Sequence, residues 1–375
     1  MKTIVISGAI ANKLNQGGEA WVRLNWILGF KKLGYRVLFI EQVEERADPV
    51  AIDYFTRVME RFALANSAAL IGADFKVLSG DKIIDAAMSA DALINISGHL
   101  TVASLMRSIQ RKVFVDIDPG FTQFWHAQGN QGARLQDHDF YYTIGENIGS
   151  TECSIPSCGL SWRTIKPPVV LDEWPVVKRG KFEGFTTIAN WRGPFGVIEF
   201  GGQTFGLKVH EFRKFIDLPE RTGLPFEIAL NIHPADQKDR DALQRHGWEI
   251  TSPSVTAEPD DFRNYVQSSS AEFSVVQGIY VQTRSGWFSD RTAAYLASGK
   301  PALVQDTGFS KHIPTGNGLL AFTTLEEAIE GAEKIRSNYE HPCRAARGAV
   351  RRGPAAPELD QHLARAHEPL PRLAQ

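Results

Sequence analysis

Short apolar runs alternate with amphipathic stretches along the first third of the chain. Helical spacing of apolar side chains predicts helices over 21–33, 51–70 and 81–89. The apolar runs between them predict strands at 3–7, 36–41, 75–78, 92–96 and 113–116. Because alternation of strands and helices is typical of βαβ units, this part of the chain predicts a parallel sheet.

The same alternation returns after residue 181. Strands are predicted at 185–189, 226–230, 248–251, 273–276 and 302–304, and helices at 207–216, 238–246, 259–267, 291–298 and 324–337. Between the two halves the periodicity fails where Pro167, Pro168 and Pro175 lie close together.

The fold class predicted by this pattern is α/β, with two tandem Rossmann-like, doubly wound domains that face a central cleft. The first domain spans 1–165, a linker spans 166–181, and the second domain spans 182–340. The tail at 341–375 is rich in Arg, Ala and Pro, and we expect it to be loosely ordered apart from one short helix over 358–367.

Composition narrows the classes of protein that this chain can belong to. Of its 375 residues, 41 are Lys or Arg and 43 are Asp or Glu, so its net charge of −2 argues against a nucleic-acid binder. Three cysteines cannot build a disulfide framework. With no apolar span of about 20 residues and no secretory leader, we expect a cytoplasmic protein without a transmembrane segment, as a monomer or homodimer.

The segment from Thr283 to Phe309 carries the clearest constellation for chemistry. A loop containing Ser285, Gly286 and Ser289 precedes a helix that begins near Asp290. The free N–H groups at the start of such a helix can bind a phosphate. The same residues also suit an ordinary helix cap, and that interpretation stays open.

This segment resembles the donor-binding half of the GT-B-fold glycosyltransferases. The likeness rests on Ser-Gly-Trp at 285–287, a helix that ends in Leu-Ala-Ser-Gly-Lys-Pro at 296–301, and the Gln-Asp-Thr-Gly loop at 305–308. At the other end of the chain, the Asn-Gln-Gly-Gly loop at 15–18 is similar to the glycine loop that opens this superfamily.

The resemblance implies that the second domain binds a UDP-, GDP- or TDP-linked sugar and that the first binds the acceptor, a small molecule or glycan. It further implies donor contacts from the following residues: Gly17, Gly18, Ser285, Gly286, Ser289, Asp290, Arg291, Gln305 and Asp306. Retaining members carry a second glutamate near the position of Ala294, and plant-like inverting members carry a His near Ser285. Because both are missing, the subfamily and the stereochemistry stay open.

Two cations of the second domain suit a departing diphosphate. Trp191 and Arg192 follow the strand predicted at 185–189, and Lys208 opens the next helix. Protein charge of this kind neutralises a leaving group without a metal ion, so we expect no metal in the donor site. A solvated Arg192 and Lys208 and a core Trp191 remain the alternative.

The first domain offers three candidates for the base that takes the acceptor's proton. His99 follows the strand at 92–96, and Asp116 and Asp118 end the next one, so all three lie where ligands bind in open α/β sheets. A structural histidine and an Asp-Pro-Gly turn are the competing interpretations. The stretch 119–165 is loop-like in pattern. Its aromatic residues could line an acceptor-binding site or belong to the hydrophobic core.

Other functions fit parts of the same pattern. Asp116-x-Asp118 also matches the metal-holding pair of GT-A-type glycosyltransferases. A nucleotide-sugar epimerase on the same fold and a two-domain sugar-binding protein are further alternatives. The glycines of 8–18 do not form G-x-G-x-x-G, which argues against a dinucleotide-dependent dehydrogenase.

Overall fold

The structure, a computed structural model, describes residues 1–43 and 48–351. Its first sheet is built from eight strands: β1 (Thr3–Ser7), β2 (Arg36–Val43), β3 (Ala68–Gly72), β4 (Val77–Ser79), β5 (Ala92–Ile96), β6 (Lys112–Asp116), β7 (Phe140–Thr143) and β8 (Trp162–Thr164). The helices among them are α1 (Gly17–Lys32), α2 (Pro49–Arg61), α3 (Ile84–Met88), α4 (Ala103–Ser108) and α5 (Phe121–Ala127).

The strands of the first sheet lie in the order β4-β3-β2-β1-β5-β6-β7-β8. Every neighbouring pair is parallel except β3 and β4, which are antiparallel. The strand order reverses direction between β1 and β5, and such a switch point leaves a crevice at the carboxyl ends of the strands.

The second half has a parallel sheet of its own and a small hairpin. Its strands are β9 (Phe185–Asn190), β10 (Ile198–Phe200), β11 (Gln203–Phe205), β12 (Phe226–Asn231), β13 (Trp248–Thr251), β14 (Ala271–Ser274), β15 (Ala302–Gln305) and β16 (Leu319–Phe322). Six of them form the sheet in the order β13-β12-β9-β14-β15-β16, while β10 and β11 pair across Gly201 and Gly202. Both glycines have positive φ, as a tight hairpin turn requires.

Eight helices accompany this second sheet within the described residues. They are α6 (Lys208–Phe212), α7 (Leu218–Thr222), α8 (Gln237–Arg245), α9 (Pro259–Ser268), α10 (Gly278–Gln282), α11 (Asp290–Ala297), α12 (Leu325–Ser337) and α13 (Glu340–Arg351). The prediction of two parallel α/β domains is confirmed by the two sheets.

The helix predicted over 51–70 is wrong in its second half. Helix α2 ends at Arg61, Ala63 takes a positive φ of 53°, and residues 68–72 form strand β3 instead. The run Ala-Ala-Leu-Ile favours a helix by intrinsic propensity, but here it is buried on both faces between neighbouring strands, and burial overrides propensity.

Three other regions are more ordered than the pattern indicated. The stretch 119–165 contains α5, β7 and β8 rather than a loop, and strand β16 had no predicted counterpart. The start of the tail is also helical, because α13 packs along α11, with Ala346 fully buried and Arg347 donating to the carbonyl of Leu171. The helix predicted over 358–367 lies outside the described residues.

The two domains meet along a seam formed by α1 and α9. The indole Nε1 of Trp21 donates to the carbonyl of Pro259 at 2.7 Å, and Trp21 packs on Trp174 of the linker at 4.7 Å between ring centroids. A side chain at Gly17 would overlap the carbonyl oxygen of Glu258, and one at Gly18 would lie 2.8 Å from the ring of Phe262. The seam therefore depends on glycine at the start of α1.

Replacing Gly17 by Ala tests this dependence. We expect Gly17→Ala to lower the free energy of unfolding by about 1–3 kcal/mol, because the added methyl group has no room against the backbone of residues 256–258. Urea-induced unfolding measures the change, and Gly196→Ala is the matched control, since nothing lies within 4 Å of its added carbon. If both variants were equally stable, the seam would not depend on glycine at position 17.

Candidate functional site

A cavity of about 650 Å³ lies between the two domains. Its first wall comes from the loop after β1, the start of α1 and the loops that follow β5 and β6. Its second wall comes from the loops after β9, β12, β13 and β14 and from the start of α11. Because these loops follow the carboxyl ends of parallel strands in both sheets, the cavity occupies the position where open α/β folds bind ligands.

The start of α11 opens into this cavity. Ser289, Asp290, Arg291 and Ala294 line it, and the Ser289 side chain makes no capping hydrogen bond to the helix. The start of the helix thus lies at the shared space, and the free N–H groups of a helix start are able to bind anions. Helix α11 begins at Asp290, as the sequence predicted from the loop before it, whereas the periodicity alone predicted a helix from residue 291.

Arg291 is fixed in place by three acceptors from the second sheet. Its guanidinium donates to the carboxylate of Glu272 at 2.6 Å, to the carbonyl of Ile188 at 2.7 Å and to the hydroxyl of Ser274 at 2.7 Å. Glu272 is fully buried, so this is an ion pair in the protein interior. The charge of Arg291 is therefore held at the floor of the cavity.

Lys208 supplies a second cation to the same wall. Its backbone N–H donates to Gln277, another cavity residue, while among the described residues its Nζ makes no hydrogen bond. Burial, together with the charge of Arg291, lowers the pKa of Lys208 to about 7. An anion in the cavity would restore the ordinary pKa of this lysine, so Lys208 favours a negatively charged ligand.

Asp290 is the acidic residue with which α11 begins. Burial raises the pKa of its carboxyl to about 7, and the nearby charge of Glu19 from the opposite domain adds to the shift. A carboxylate beside an anion-binding helix end opposes the ligand, but a protonated carboxyl does not. The raised pKa therefore makes Asp290 easier to protonate when an anion is bound.

The opposite wall carries an ion pair that the sequence analysis did not single out. Arg23 and Glu19 lie one turn apart on α1 and pair with each other, and Arg23 is only 2% exposed. Burial alone would raise the pKa of Glu19, but the Arg23 guanidinium holds it below its ordinary value. The available signal was an i,i+4 pair of opposite charges on an otherwise apolar helix.

The loop that carries Lys13 into the cavity is shaped by a buried acid. The carboxylate of Glu41, at the end of β2, accepts hydrogen bonds from the backbone N–H groups of Ile10, Ala11 and Asn12, each at 2.8 Å. Burial raises the pKa of Glu41 to about 7, against the effect of these bonds. Glu41 thus fixes the β1–α1 loop without facing the cavity itself.

The two candidate aspartates have different roles. Asp116 is fully buried and accepts hydrogen bonds from Gln123 at 2.7 Å and from Thr143 at 2.8 Å, so it organises the end of β6 and is absent from the cavity wall. Asp118 lines the cavity and accepts a hydrogen bond from the Tyr280 hydroxyl. Burial and the charge of Glu19 raise the pKa of Asp118.

His99 also lines the cavity. It follows Ser97 and Gly98, which have positive φ values of 54° and 64°, and such a conformation is costly for the serine. Burial and the charges of Arg23 and Arg134 lower the pKa of His99 to about 3, so its imidazole is neutral. A ring with so low a pKa is a weak base, but it still donates or accepts a hydrogen bond.

The structure brings some predicted residues together and separates others. Those that line the cavity are Gly18, His99, Asp118, Lys208, Ser289, Asp290 and Arg291. Those that do not are Gly17, Asp116, Trp191, Arg192, Ser285, Gly286, Gln305 and Asp306.

Arg192 and Trp191 point to the far side of the strand end. Arg192 forms a bidentate pair with Asp236, and its side chain is half exposed. Trp191 is 1% exposed and donates to Asp239, as the core interpretation expected. The structure therefore lends no support to a diphosphate role for either residue.

The loop at 285–286 serves the contact between the domains. The backbone N–H of Asn147 donates to the carbonyl of Ser285 at 3.0 Å, and the space beside Gly286 is filled by the backbone of Glu146 and Asn147. Gln305 is 2% exposed and bonds to Glu211, while Asp306 closes the turn that follows. These residues therefore support the loops around the cavity but do not line it.

Groups of three His, Cys, Asp or Glu side chains that could hold a metal ion do not occur in the described part of the chain. The Asp116-x-Asp118 pair does not converge on a common point, because Asp116 uses both oxygens for internal hydrogen bonds. The donor set therefore does not fit the metal-holding pair that its spacing suggested.

Solved structures share this architecture. HepE from Anabaena, in complex with UDP, matches with a TM-score of 0.61 at 10% identity over 98% of this chain and 99% of its own. An alpha-glucosyltransferase in complex with UDP and DNA matches with a TM-score of 0.59 at 11% identity over 97% and 99%. The pneumococcal O-GlcNAc transferase GtfA, in complex with UDP and GlcNAc, matches with a TM-score of 0.57 at 9% identity over 98% and 99%.

The chain has the GT-B fold. The matches cover 97% or 98% of this chain and 99% of each of these proteins, so they extend over both of its sheets. No protein-family model matches the sequence, and no curated protein matches it either. Among the described residues, no helix is both long and apolar enough to span a membrane.

The titration of Asp290 gives a prediction for stability. Its pKa of about 7 lies above the ordinary value near 4, so ionisation costs folding stability as pH rises from 4 to 7. We expect Asp290→Asn to match the wild type at pH 4 and to melt at a higher temperature than the wild type at pH 8.

Asp239→Asn is the matched control for this measurement. Burial alone would raise the pKa of Asp239, but hydrogen bonds from Arg213 and Trp191 lower it, so its ionised form stabilises the fold. Its replacement should therefore lower the melting temperature at pH 8. Thermal unfolding of both variants between pH 4 and pH 8 measures the two opposite changes in melting temperature. A lower melting temperature for Asp290→Asn than for the wild type at pH 8 would contradict the burial of Asp290.

Proposed function

We propose that this protein is a glycosyltransferase that moves a sugar from a nucleotide-sugar donor to an acceptor hydroxyl in the cavity between its domains. The observation that carries the proposal is the meeting of the α11 start and Lys208 with Asp118 in one cavity. A site for a diphosphate and a carboxylate for an acceptor hydroxyl thereby face each other. The GT-B fold supports this assignment, and a UDP-linked sugar is the first donor to test.

The donor's diphosphate is assigned to the second domain. The N–H groups at the start of α11 and the ammonium group of Lys208 would receive its oxygens, while Arg291 adds positive charge from below. As the bond to the sugar breaks, negative charge grows on the departing oxygen. These fixed donors stabilise that charge most in the transition state.

The acceptor is assigned to the first domain, with Asp118 as its base. The acceptor oxygen bonds to the sugar's anomeric carbon as the bond to the diphosphate breaks. The bonding pair leaves with the diphosphate, and the acceptor proton goes to Asp118. Asp118 suits this role better than His99, because its raised pKa makes it the stronger base of the two. His99 is left to hydrogen-bond a substrate hydroxyl.

Three other outcomes are distinguished by one set of assays with UDP-sugars. An epimerase would change the sugar of the donor when no acceptor is present. A sugar-binding protein would bind UDP or the donor and form no product. A metal-dependent transferase would lose its activity in a chelator, which the proposal does not expect.

Lys208 provides the test on the donor side. We expect Lys208→Met to weaken UDP binding by about 10- to 100-fold, since it removes a charge-assisted hydrogen bond from a buried site. Isothermal titration calorimetry measures the affinity. Arg192→Met is the matched control, because Arg192 is paired with Asp236 outside the cavity. If only the Arg192 variant weakens binding, the donor site has been assigned to the wrong cation.

Asp118 provides the test on the acceptor side. We expect Asp118→Asn to slow sugar transfer by about 10²- to 10⁴-fold, the usual share of a general base, without weakening UDP binding. Release of UDP from a UDP-sugar, with water or an added sugar as acceptor, measures the rate. Attack assisted by Asp118 on the face opposite the diphosphate inverts the anomeric carbon. A product of retained configuration would contradict Asp118 as the base.

A further inference from the structure

The carboxylate of Asp118 is held from the opposite domain. Tyr280, in α10 of the second domain, donates its hydroxyl to Oδ1 of Asp118 at 2.9 Å. Both residues line the cavity, and 162 positions of sequence separate them. This hydrogen bond therefore exists only while the two domains are in contact.

The tyrosine is itself rigidly placed. Its ring stacks on that of Trp287 with 4.5 Å between centroids and meets the edge of Phe121, and Tyr280 is only 3% exposed. Trp287 in turn donates its indole N–H to the carbonyl of Ile117 at 3.3 Å. The stacked pair thus gives one hydrogen bond to each of two consecutive residues of the first domain.

We propose that Tyr280 is a positioning residue that makes Asp118 competent only when the two domains are closed. The inference rests on the proposed function, which makes Asp118 the base. The Tyr280 hydroxyl occupies Oδ1, and among the described residues nothing donates a hydrogen bond to Oδ2. Oδ2 is therefore the oxygen left for the acceptor hydroxyl, and its direction is set by Tyr280.

This arrangement couples the chemistry to closure. When the domains separate, Asp118 loses the one hydrogen bond that its carboxylate receives within the described structure and is left beside the charge of Glu19. The carboxylate then lacks the group that fixes its direction. Hydrolysis of a donor bound to the second domain alone would therefore be slow, because the base is positioned only when the acceptor wall is in place.

The surroundings of Asp118 make the tyrosine's contribution measurable. The charged and titratable groups that act on Asp118 or feel its charge come from both domains: Lys13, Glu19, Arg23, Asp116, Tyr280 and Asp290. Tyr280 is neutral at pH 7, because burial and the charge of Asp118 raise its pKa well above the ordinary value. Replacing it by Phe removes the hydroxyl and leaves every charge in place.

The test compares Tyr280→Phe with Tyr54→Phe. Tyr54 also donates a hydrogen bond across the seam, to the carbonyl of Ala257 at 3.2 Å, but it does not line the cavity. The control therefore loses an interdomain hydroxyl without touching Asp118. We expect Tyr280→Phe to lower kcat about 10- to 100-fold and to leave UDP affinity unchanged, while Tyr54→Phe keeps the wild-type kcat.

Two pH titrations complete the test. A hydrogen bond to an ionised carboxylate lowers its pKa, so the acidic limb of the kcat/KM profile should move to higher pH in Tyr280→Phe. NMR of carboxyl-labelled aspartate should show the same upward shift for Asp118 in the protein without substrate. An unchanged Asp118 titration in Tyr280→Phe, or an equal shift in Tyr54→Phe, would overturn the proposal.

The NMR titration separates this proposal from the proposed function. If no UDP-sugar is turned over by the wild type, the function is wrong, yet the titration still reports whether Tyr280 acts on Asp118. If transfer occurs and Tyr280→Phe retains full kcat with an unshifted profile, the function stands and the positioning role fails.

Discussion

The backbone contact between the start of α1 and residues 256–258 is the constraint on which the site depends. Gly17 and Gly18 let a helix end approach a turn of the opposite domain without an intervening side chain. The same helix carries Glu19 directly after these glycines and Arg23 one turn beyond Glu19, so the contact also sets how far these charges lie from α11. A bulkier start to α1 would widen the cavity and separate its two walls.

Two titratable groups of that cavity, Lys208 and Asp290, have pKa values that are sensitive to the charge of a ligand. Lys208 has a lowered pKa and Asp290 a raised one, so both give up part of their charge when the cavity holds only solvent. A diphosphate reverses the first shift and strengthens the second, and binding near neutral pH would therefore take up protons at both groups. Donors and dipoles that are fixed before the ligand arrives need no rearrangement during the reaction.

The sequence predicted the two sheets, the helix at Asp290 and the cavity-facing position of Asp118, because each follows from local periodicity and from the end of a strand. It could not separate Lys208 from Arg192, since both are cations at the predicted ends of elements in the second domain, and only the pairing of Arg192 with Asp236 decides between them. Ser285 and Gly286 were assigned to the donor because small residues suit both a phosphate loop and a close contact between domains. Tyr280 carried no signal at all, because its partner is distant in sequence.

The absence of a glutamate at position 294 has a structural counterpart on the same helix. Asp290 and Ala294 are four residues apart, so they share one face of α11, and both line the cavity. The acidic side chain of this helix therefore stands one turn, about 6 Å, closer to the helix start than the position near Ala294 where the resemblance would place a glutamate in a retaining member. There it faces Glu19 of the other domain, which raises its pKa, instead of lying deeper along the helix. A carboxyl at this position can respond to the charge of the ligand by taking up a proton, which a carboxylate held by a cation could not do.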